Sequence, residues 1–304
     1  MCEMSCCPPG SIGSPQRQPL SSVTPSGKIF SIDFPKNDET TTIYNVPFEC
    51  YTTGAELSSH PNKIVIIFTD VFGMNEGNHK AVAESVAERL GKEDTSVLVP
   101  DLFHGDPVAQ FVPYLPDVAS LILTLPFFLY RVKWKYPPET IKNDIFNIIL
   151  PWLSRQTNVA ISELNICSIG FCFGGWVNAM CLAMPDTPFR CAVGIHPSID
   201  KLERLHGQSI ETLLQQVGSK PMLLLPAGND PDEYKCPGGA YAEILRQARG
   251  EEGDCDEGDV SVCFTEMKHG WVSRGDSRNK EVRESQERAL DLTTDFVKRH
   301  CILK

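Results

Sequence analysis

The feature that most constrains the fold is an alternation of short apolar runs with longer amphipathic stretches, which begins near Ile43. The run Ile64–Phe68 is continuously apolar, as expected of a strand that is covered on both faces. Val82, Val86 and Leu90 then repeat at helical spacing. This alternation predicts an α/β fold with a mostly parallel central sheet and helices on both faces.

The same pattern predicts the remaining elements. We expect helices over about 139–153, over 176–184 and near the C-terminus. Further strands are expected at Ser96–Pro100, Leu164–Ile169, Cys191–Ile195, Met222–Leu225 and Val260–Phe264. Because no internal repeat and no linker divides this body, we expect one domain over residues 28–304. It follows a tail rich in Pro, Ser and Gly, residues 1–27, which we expect to be mobile.

Composition excludes several classes of protein. The 304 residues are 41% hydrophobic and 22% charged, which is typical of a globular protein. The net charge of -11 argues against nucleic acid and anionic membranes as partners. The apolar segment Val118–Tyr130 is shorter than the roughly 20 residues that a membrane-spanning helix needs. Since residues 1–27 also lack the apolar core of a signal peptide, we expect a cytoplasmic protein with reduced thiols.

A Gly-x-Cys-x-Gly run, with Cys172 at its centre, lies in the segment Gly170–Gly175 between a predicted strand and a predicted helix. A nucleophile elbow occupies this position between a strand and a helix. Its turn is so tight that any residue larger than glycine, two positions either side of the nucleophile, would collide with neighbouring backbone. The turn also brings the thiol to a helix N-terminus, whose partial positive charge favours the thiolate. The alternative is a buried structural cysteine.

A nucleophile in this position needs an acid and then a histidine further along the chain. Asp230 comes just beyond the strand Met222–Leu225, at the end where active-site loops gather in open α/β sheets. Asp232 competes with it, although we favour Asp230. His269 comes just beyond the strand Val260–Phe264, and of the 7 histidines it alone combines this position with the required chain order.

Four separated motifs appear in one order along the chain. They are Thr69–Asn75, Val99–Phe103, Gly170–Gly175, and His269–Trp271 followed by Arg274–Asp276. With these motifs the chain, from about Ile64 to Arg299, resembles the dienelactone hydrolases, which are enzymes of the α/β-hydrolase fold with a Cys-Asp-His triad. The resemblance implies a hydrolase of small esters or lactones that works through a thioester acyl-enzyme, without metal or cofactor.

The resemblance also implies an oxyanion hole and a group that controls the thiol. The backbone N–H groups of Val71 and Phe173 would form the oxyanion hole. Asp70 stands where the bacterial prototype of the family has a glutamate that is linked with control of the resting thiol. The aspartate is one methylene shorter, and its alternative role is that of a structural cap on the loop.

Substrate contacts are expected from three further residues and one segment. The family can place an arginine that binds a substrate carboxylate at the position of Arg274, whose alternative role is a salt bridge, for example with Asp276. His196 follows a predicted strand and would line the pocket with Trp271, or it would only pack. The aromatic-rich segment 106–138 could form a lid over the pocket.

Two other functions remain open at this stage. One is a non-catalytic protein of the same fold that binds a small ligand. The other is a redox sensor in which Cys172 is oxidised and a neighbouring thiol, such as Cys167 or Cys181, resolves it. The expected partner is a small-molecule ester or lactone, and the sequence does not indicate an oligomeric state.

Overall fold

The computed structural model describes residues 24–32, 48–108, 129–250 and 260–301. The strands are β1 (Lys28–Ile32), β2 (Phe48–Gly54), β3 (Lys63–Phe68), β4 (Thr95–Pro100), β5 (Ile166–Phe171), β6 (Phe189–Ile195) and β7 (Met222–Leu225). The α-helices are α1 (His79–Leu90), α2 (Pro138–Asn143), α3 (Leu150–Thr157), α4 (Phe173–Ala183), α5 (Ile199–Leu205), α6 (Ile210–Val217), α7 (Ala240–Ala248), α8 (Trp271–Arg274) and α9 (Lys280–His300). Short 3₁₀ turns occur at Leu57–Ser59, Ile161–Glu163 and Asp232–Tyr234, and π-helical turns at Arg131–Lys135 and Asp144–Ile149.

The strands form one sheet in the order β1-β2-β4-β3-β5-β6-β7. β2 is antiparallel to both of its neighbours, and all the pairs from β4 to β7 are parallel. The chain builds β4 on one side of β3 and then crosses to β5 on the other side. The order therefore reverses beside β3, and in open α/β sheets the crevice at the carboxyl ends of the strands at such a point is where ligands bind. The predicted α/β class with a mostly parallel sheet is confirmed.

Both faces of the sheet are covered, as the continuous apolar runs predict. In β3, Ile64 and Ile66 belong to one core, whereas Val65 and Ile67 belong to the other. The buried side chains of α4 lie in the first core, and those of α1 and α9 lie in the second. Burying one such aliphatic side chain stabilises the folded protein by about 1.5–3 kcal/mol. The central strands therefore hold the loops at their ends in fixed positions.

The predicted helix over 139–153 corresponds to the run from Pro138 to Thr157, in which a π-helical segment joins α2 to α3. The predicted strand Val260–Phe264 is wrong as a strand. Its residues form only two isolated parallel bridges, Leu224 with Ser261 and Ala227 with Phe264. The segment is buried beside β7, which explains its apolar pattern, but the pairing between the two bridges is not regular enough for a ladder.

Part of the predicted tail is attached to the body. Ser26 and Gly27 donate their backbone N–H groups to Glu84 Oε1 on α1, at 2.7 and 2.9 Å. Residues 1–23 of the tail and residues 109–128 of the predicted lid lie outside the described residues. In the described part of that segment, the side chains of Tyr130 and Trp134 are exposed. None of the described helices is both long and apolar enough to cross a membrane.

The cysteines depart in one respect from the expectation of reduced thiols. Cys236 is disulfide-bonded, and the expectation is therefore wrong for this residue. The free thiols among the described cysteines are those of Cys50, Cys167, Cys172, Cys181, Cys191, Cys263 and Cys301. Whether two cysteines pair depends on how their Cα atoms approach in space, which their spacing along the chain does not reveal.

Candidate active site

Cys172 occupies the turn between β5 and α4, with a φ of 52° and a ψ of -106°. A positive φ is uncommon for a residue other than glycine, and strain of this kind concentrates at functional sites. A Cβ atom added to Gly170 would meet the carbonyl of Gly174, and one added to Gly174 would meet the carbonyl of Phe68. The predicted reason for the two glycines, close approach of backbone, is therefore confirmed.

Backbone hydrogen bonds tie the cysteine turn to the ends of two neighbouring strands. The N–H of Cys172 donates to the carbonyl of Ile195 at 3.2 Å, and the N–H of Ser198 donates to the carbonyl of Cys172 at 3.1 Å. On the other side, the N–H of Gly174 donates to the carbonyl of Thr69 at 3.1 Å. The turn is thus held between the loops that follow β3 and β6.

Asp230 and His269 meet in a short hydrogen bond, since His269 Nδ1 lies 2.6 Å from Asp230 Oδ1 and both side chains are buried. The second carboxylate oxygen, Asp230 Oδ2, accepts from the N–H of Ala227 at 2.7 Å. The N–H of His269 donates to Asn229 Oδ1 at 2.7 Å, which anchors the histidine backbone to the same loop. The competing acid, Asp232, is exposed and pairs with Lys235 at 2.6 Å.

His196 joins this pair to the end of β6. Its ring lies with its centroid 4.7 Å from that of His269 and 5.3 Å from that of Trp271. All three side chains are buried, and the residue before His196 accepts the hydrogen bond from the Cys172 N–H. The structure therefore brings His196, Trp271 and His269 together at the sheet edge that carries Cys172.

Asp70 is surrounded by donors. Its Oδ1 accepts from the N–H of Phe72 at 3.0 Å and lies 3.3 Å from His79 Nε2. Its Oδ2 accepts from Ser273 Oγ at 2.9 Å and lies 3.2 Å from Arg274 Nε. The contact with the Phe72 N–H is the capping contact that the sequence left open as an alternative. Asp70 also connects the loop after β3 to α1 and α8.

These contacts correct the alternative partner of Arg274. Arg274 is buried and pairs with Asp70 rather than with Asp276, and its guanidinium carbon lies 4.6 Å from the centre of the Phe72 ring. Asp276 instead pairs with Arg278 at 2.7 Å. Asp276 is the nearer acid along the sequence, but α8 directs the Arg274 side chain toward Asp70, which precedes it by 204 positions.

The same contacts decide the charge of Asp70. Burial alone would raise the pKa of its carboxyl group. The charges of His79 and Arg274 and the hydrogen bonds from His79 and Phe72 outweigh burial and hold the pKa well below its ordinary value. Asp70 is therefore a carboxylate at neutral pH.

The two N–H groups predicted for the oxyanion hole belong to residues on either side of the cysteine turn. Phe173 begins α4, so helix geometry leaves its N–H without an acceptor within the helix. Val71 lies in the loop after β3, between Asp70 and Phe72. Within the described ranges, no group of three or more His, Cys, Asp or Glu side chains is arranged to hold a metal ion.

The two thiols considered as resolving partners, those of Cys167 and Cys181, are too far from Cys172 to form a disulfide with it. Cys167 is five residues back along β5, a separation of about 16 Å at the usual rise of a strand. Cys181 is nine residues on in α4, about 13 Å at the rise of a helix. Neither separation allows a disulfide with Cys172, which needs Cα atoms within about 7 Å.

The sequence did not single out Ser198 for any role. Its Oγ lies 3.4 Å from Cys172 Sγ, and the side chain is buried. A signal was present, since Ser198 follows the carboxyl end of β6 closely, in the segment Gly194–Ser198. A serine is common in such turns, and its contact with the thiol depends on how β5 and β6 pair.

Comparison with known protein families identifies residues 48–301 as a match to the dienelactone hydrolase family. No curated protein matches the chain. These residues include each side chain that the sequence analysis placed at the site.

Solved structures share the fold at low sequence identity. An acylaminoacyl peptidase from Pyrococcus horikoshii is 16% identical with a TM-score of 0.57, and the match covers 91% of this chain and 42% of that one. A dienelactone hydrolase-like promiscuous phosphotriesterase from metagenomic libraries is 15% identical with a TM-score of 0.50, covering 89% of this chain and 98% of that one. A propionate-bound esterase from Thermogutta terrifontis is 15% identical with a TM-score of 0.50, covering 90% and 94%. The chain thus spans less than half of the peptidase, and at these identities the likeness concerns the fold.

Proposed function

The chain belongs to the dienelactone hydrolase family, and we propose that it is a hydrolase that cleaves small esters or lactones with Cys172 as nucleophile. Asp230 and His269 complete the proposed triad. The observation that carries this proposal is the hydrogen bond of 2.6 Å between His269 Nδ1 and the buried Asp230 carboxylate. It lies on the same sheet edge as a cysteine in a strained turn at a helix N-terminus.

In the first step His269 takes the proton of the Cys172 thiol, and the sulfur attacks the carbonyl carbon of the ester or lactone. A carbon–sulfur bond forms, and the carbonyl oxygen becomes an oxyanion that the N–H groups of Val71 and Phe173 would stabilise. The carbon–oxygen bond to the leaving group then breaks, and His269 supplies the proton that the departing alkoxide needs. The product of this step is a thioester on Cys172, with the alcohol free or, for a lactone, still attached through the acyl chain.

In the second step water attacks the thioester while His269 Nε2 takes its proton. The carbon–sulfur bond breaks, the carboxylic acid leaves, and the thiol is restored. Asp230 holds the tautomer with the proton on Nδ1 and balances the charge of the imidazolium. The hydrogen bond from Ala227 to the second oxygen of Asp230 supports this role by fixing the plane of the carboxylate.

The test is turnover on a panel of p-nitrophenyl esters, lactones and thioesters. We expect hydrolysis of small activated esters or lactones. We also expect the activity to fall in proportion to the alkylation of Cys172, which mass spectrometry of the peptide that contains Cys172 measures. A protein that hydrolyses none of these substrates, or that keeps its activity after Cys172 is fully alkylated, would contradict the proposal.

A matched pair of serine variants sharpens the test. Cys172→Ser should keep only a small fraction of the activity, because a hydroxyl has a much higher pKa than a thiol and is a far weaker nucleophile at neutral pH. Cys181→Ser changes a buried thiol on the same helix, away from the turn, and should stay within a few-fold of the wild type. Full activity in Cys172→Ser would show that the thiol is not the nucleophile.

A further inference from the structure

The hydroxyl of Ser198 is a polar group that lies directly against the sulfur of Cys172, at an Oγ–Sγ distance of 3.4 Å. Both side chains are buried. The two residues are also joined through their backbones, since the Ser198 N–H donates to the Cys172 carbonyl at 3.1 Å. This backbone hydrogen bond therefore fixes the position of Ser198 relative to the cysteine turn.

Ser198 is also the N-cap residue of α5, and it does not act as a cap. A serine at this position ordinarily accepts a hydrogen bond from the second or third N–H of its helix. In α5 the Ser198 side chain makes no capping hydrogen bond. Ser209, the N-cap of α6, does make one, since its hydroxyl accepts from the N–H of Thr212 at 3.2 Å.

Another side chain does the capping in its place. The N–H of Asp200, the second in α5, donates to the hydroxyl of Tyr234 at 2.8 Å. That hydroxyl donates in turn to Asp200 Oδ1 at 2.8 Å. Tyr234 thus satisfies this N–H, and the Ser198 hydroxyl contacts the thiol instead of capping α5.

Asp70, the residue predicted to control the thiol, has its carboxylate oxygens engaged elsewhere. Each oxygen already has two partners: Phe72 and His79 at Oδ1, Ser273 and Arg274 at Oδ2. A carboxylate beside the sulfur would also repel a thiolate, whereas a hydroxyl can donate to it. A donor to the charged form of a group favours that form.

We propose that Ser198 is a positioning residue that donates its hydroxyl hydrogen to the Cys172 sulfur, holds the thiol in the turn and favours the thiolate. The proposal rests on the proposed function, because the thiolate is the attacking group of that reaction. It assigns to a neutral side chain after β6 the task that the family resemblance assigns to an acid after β3.

Other groups near the turn also act on the charge of the thiol. The first turn of α4 contributes no acidic side chain. The titratable and charged groups around the turn include Asp70, His79, His196, Asp200, Asp230, His269 and Arg274. Replacing Ser198 changes none of them, so a difference between Ser198 variants reports on the hydroxyl.

The experiment measures the rate of alkylation of Cys172 by iodoacetamide against pH, read by mass spectrometry of its peptide. In Ser198→Ala the midpoint should rise by about one pH unit, a tenfold loss of rate below the midpoint, as expected for losing a hydrogen bond to a charged group. Ser198→Thr keeps the hydroxyl and should restore the wild-type midpoint. An unchanged or lower midpoint in Ser198→Ala would overturn the proposal.

Two further variants separate this effect from a loss of stability. Ser198→Ala should scarcely change the melting temperature, because the serine makes no capping hydrogen bond to α5, whereas Ser209→Ala should lower the melting temperature and leave the alkylation midpoint unchanged. Should Ser198→Ala not fold, Tyr234→Phe still tests the idea. It frees the Asp200 N–H to recruit the Ser198 hydroxyl, so the midpoint should rise, and an unchanged midpoint there would refute the proposal.

Alkylation does not depend on turnover, so the two proposals can fail separately. A wild-type protein that hydrolyses no ester, but whose alkylation midpoint responds to Ser198→Ala, would refute the function and keep the contact. An active enzyme whose alkylation midpoint does not change in Ser198→Ala would refute only the proposed role of Ser198.

Discussion

Two cysteines mark the two ends of one strand. Cys167 is the second residue of β5, and Cys172 follows its last residue. The side chains of both are fully buried, so exposure does not distinguish them. They differ in what surrounds the sulfur.

At the amino end of β5, the Cys167 sulfur lies 3.8 Å from the carbonyl of Ile64 and contacts Cys191 and Cys301. Hydrogen bonding with these two thiols, together with burial, raises the pKa of Cys167 well above its ordinary value. At the carboxyl end, Cys172 lies in a turn with positive φ, at the start of α4 and against the hydroxyl of Ser198.

A buried thiol is inert when its surroundings do not stabilise the thiolate. A reactive thiol needs donors or positive charge that stabilise its thiolate. In a parallel sheet these collect at the carboxyl ends of the strands, where the helices that follow begin with free N–H groups. At the amino end, the Cys167 sulfur lies beside a carbonyl oxygen and two other thiols, and the pKa of Cys167 is raised.

The largest expected effect tests this comparison directly. Cys172→Ala should lower kcat for ester hydrolysis by on the order of 10⁴-fold or more, because the reaction loses its proposed nucleophile. Cys167→Ala removes an equally buried thiol from the same strand and should change kcat by no more than a few-fold. Steady-state kinetics on the best ester of the panel measures both, with melting temperatures to show that each variant is folded. A comparable loss in both variants would mean that β5 matters for stability rather than for chemistry.

An intermediate effect is expected from the acid that supports the histidine. Asp230→Asn should lower kcat about 10- to 100-fold, because it weakens a charge-assisted hydrogen bond in a buried site. Asp232→Asn removes an exposed carboxylate two residues away and should keep kcat within a few-fold. The opposite ranking of the two variants would identify Asp232 as the acid of the triad.

The smallest expected effect is on stability against pH. The pKa of Asp70 is held below its ordinary value in the folded protein, so the unfolded chain binds this proton more readily. Its contribution to stability is complete at neutral pH and is lost as the pH falls through about 4 toward the lower folded value. Asp70→Asn should therefore melt below the wild type at pH 7, and the difference should narrow by about 2–5 °C near pH 3.

A buried thiol on α4 supplies the control for this measurement. Burial raises the pKa of Cys181, so its thiol stays neutral throughout the acid range, and Cys181→Ala should differ from the wild type by the same amount at both pH values. A difference for Asp70→Asn that does not change with pH would show that Asp70 contributes by shape and hydrogen bonding, without its charge.

Much of the fold could be predicted from local pattern. The apolar run of β3 and the helical spacing of α1 indicate elements whose burial is nearly complete, and these are correct in type. The segment Val260–Phe264 has the same kind of pattern and is not a strand. Apolar alternation reports that side chains are buried, but a ladder also needs a partner strand in register, which the pattern does not contain.

The sequence by itself determined the cysteine turn, because the need for glycine at Gly170 and Gly174 is a local steric requirement of the backbone. It also determined that Asp230 follows the end of β7 and that His269 follows a buried apolar segment. Only the tertiary structure decided that Asp230 bonds His269, that Arg274 pairs with Asp70, and that Ser198 turns to the thiol. These contacts join residues 39, 204 and 26 positions apart, and such contacts depend on how strands and loops pack, which no local pattern specifies.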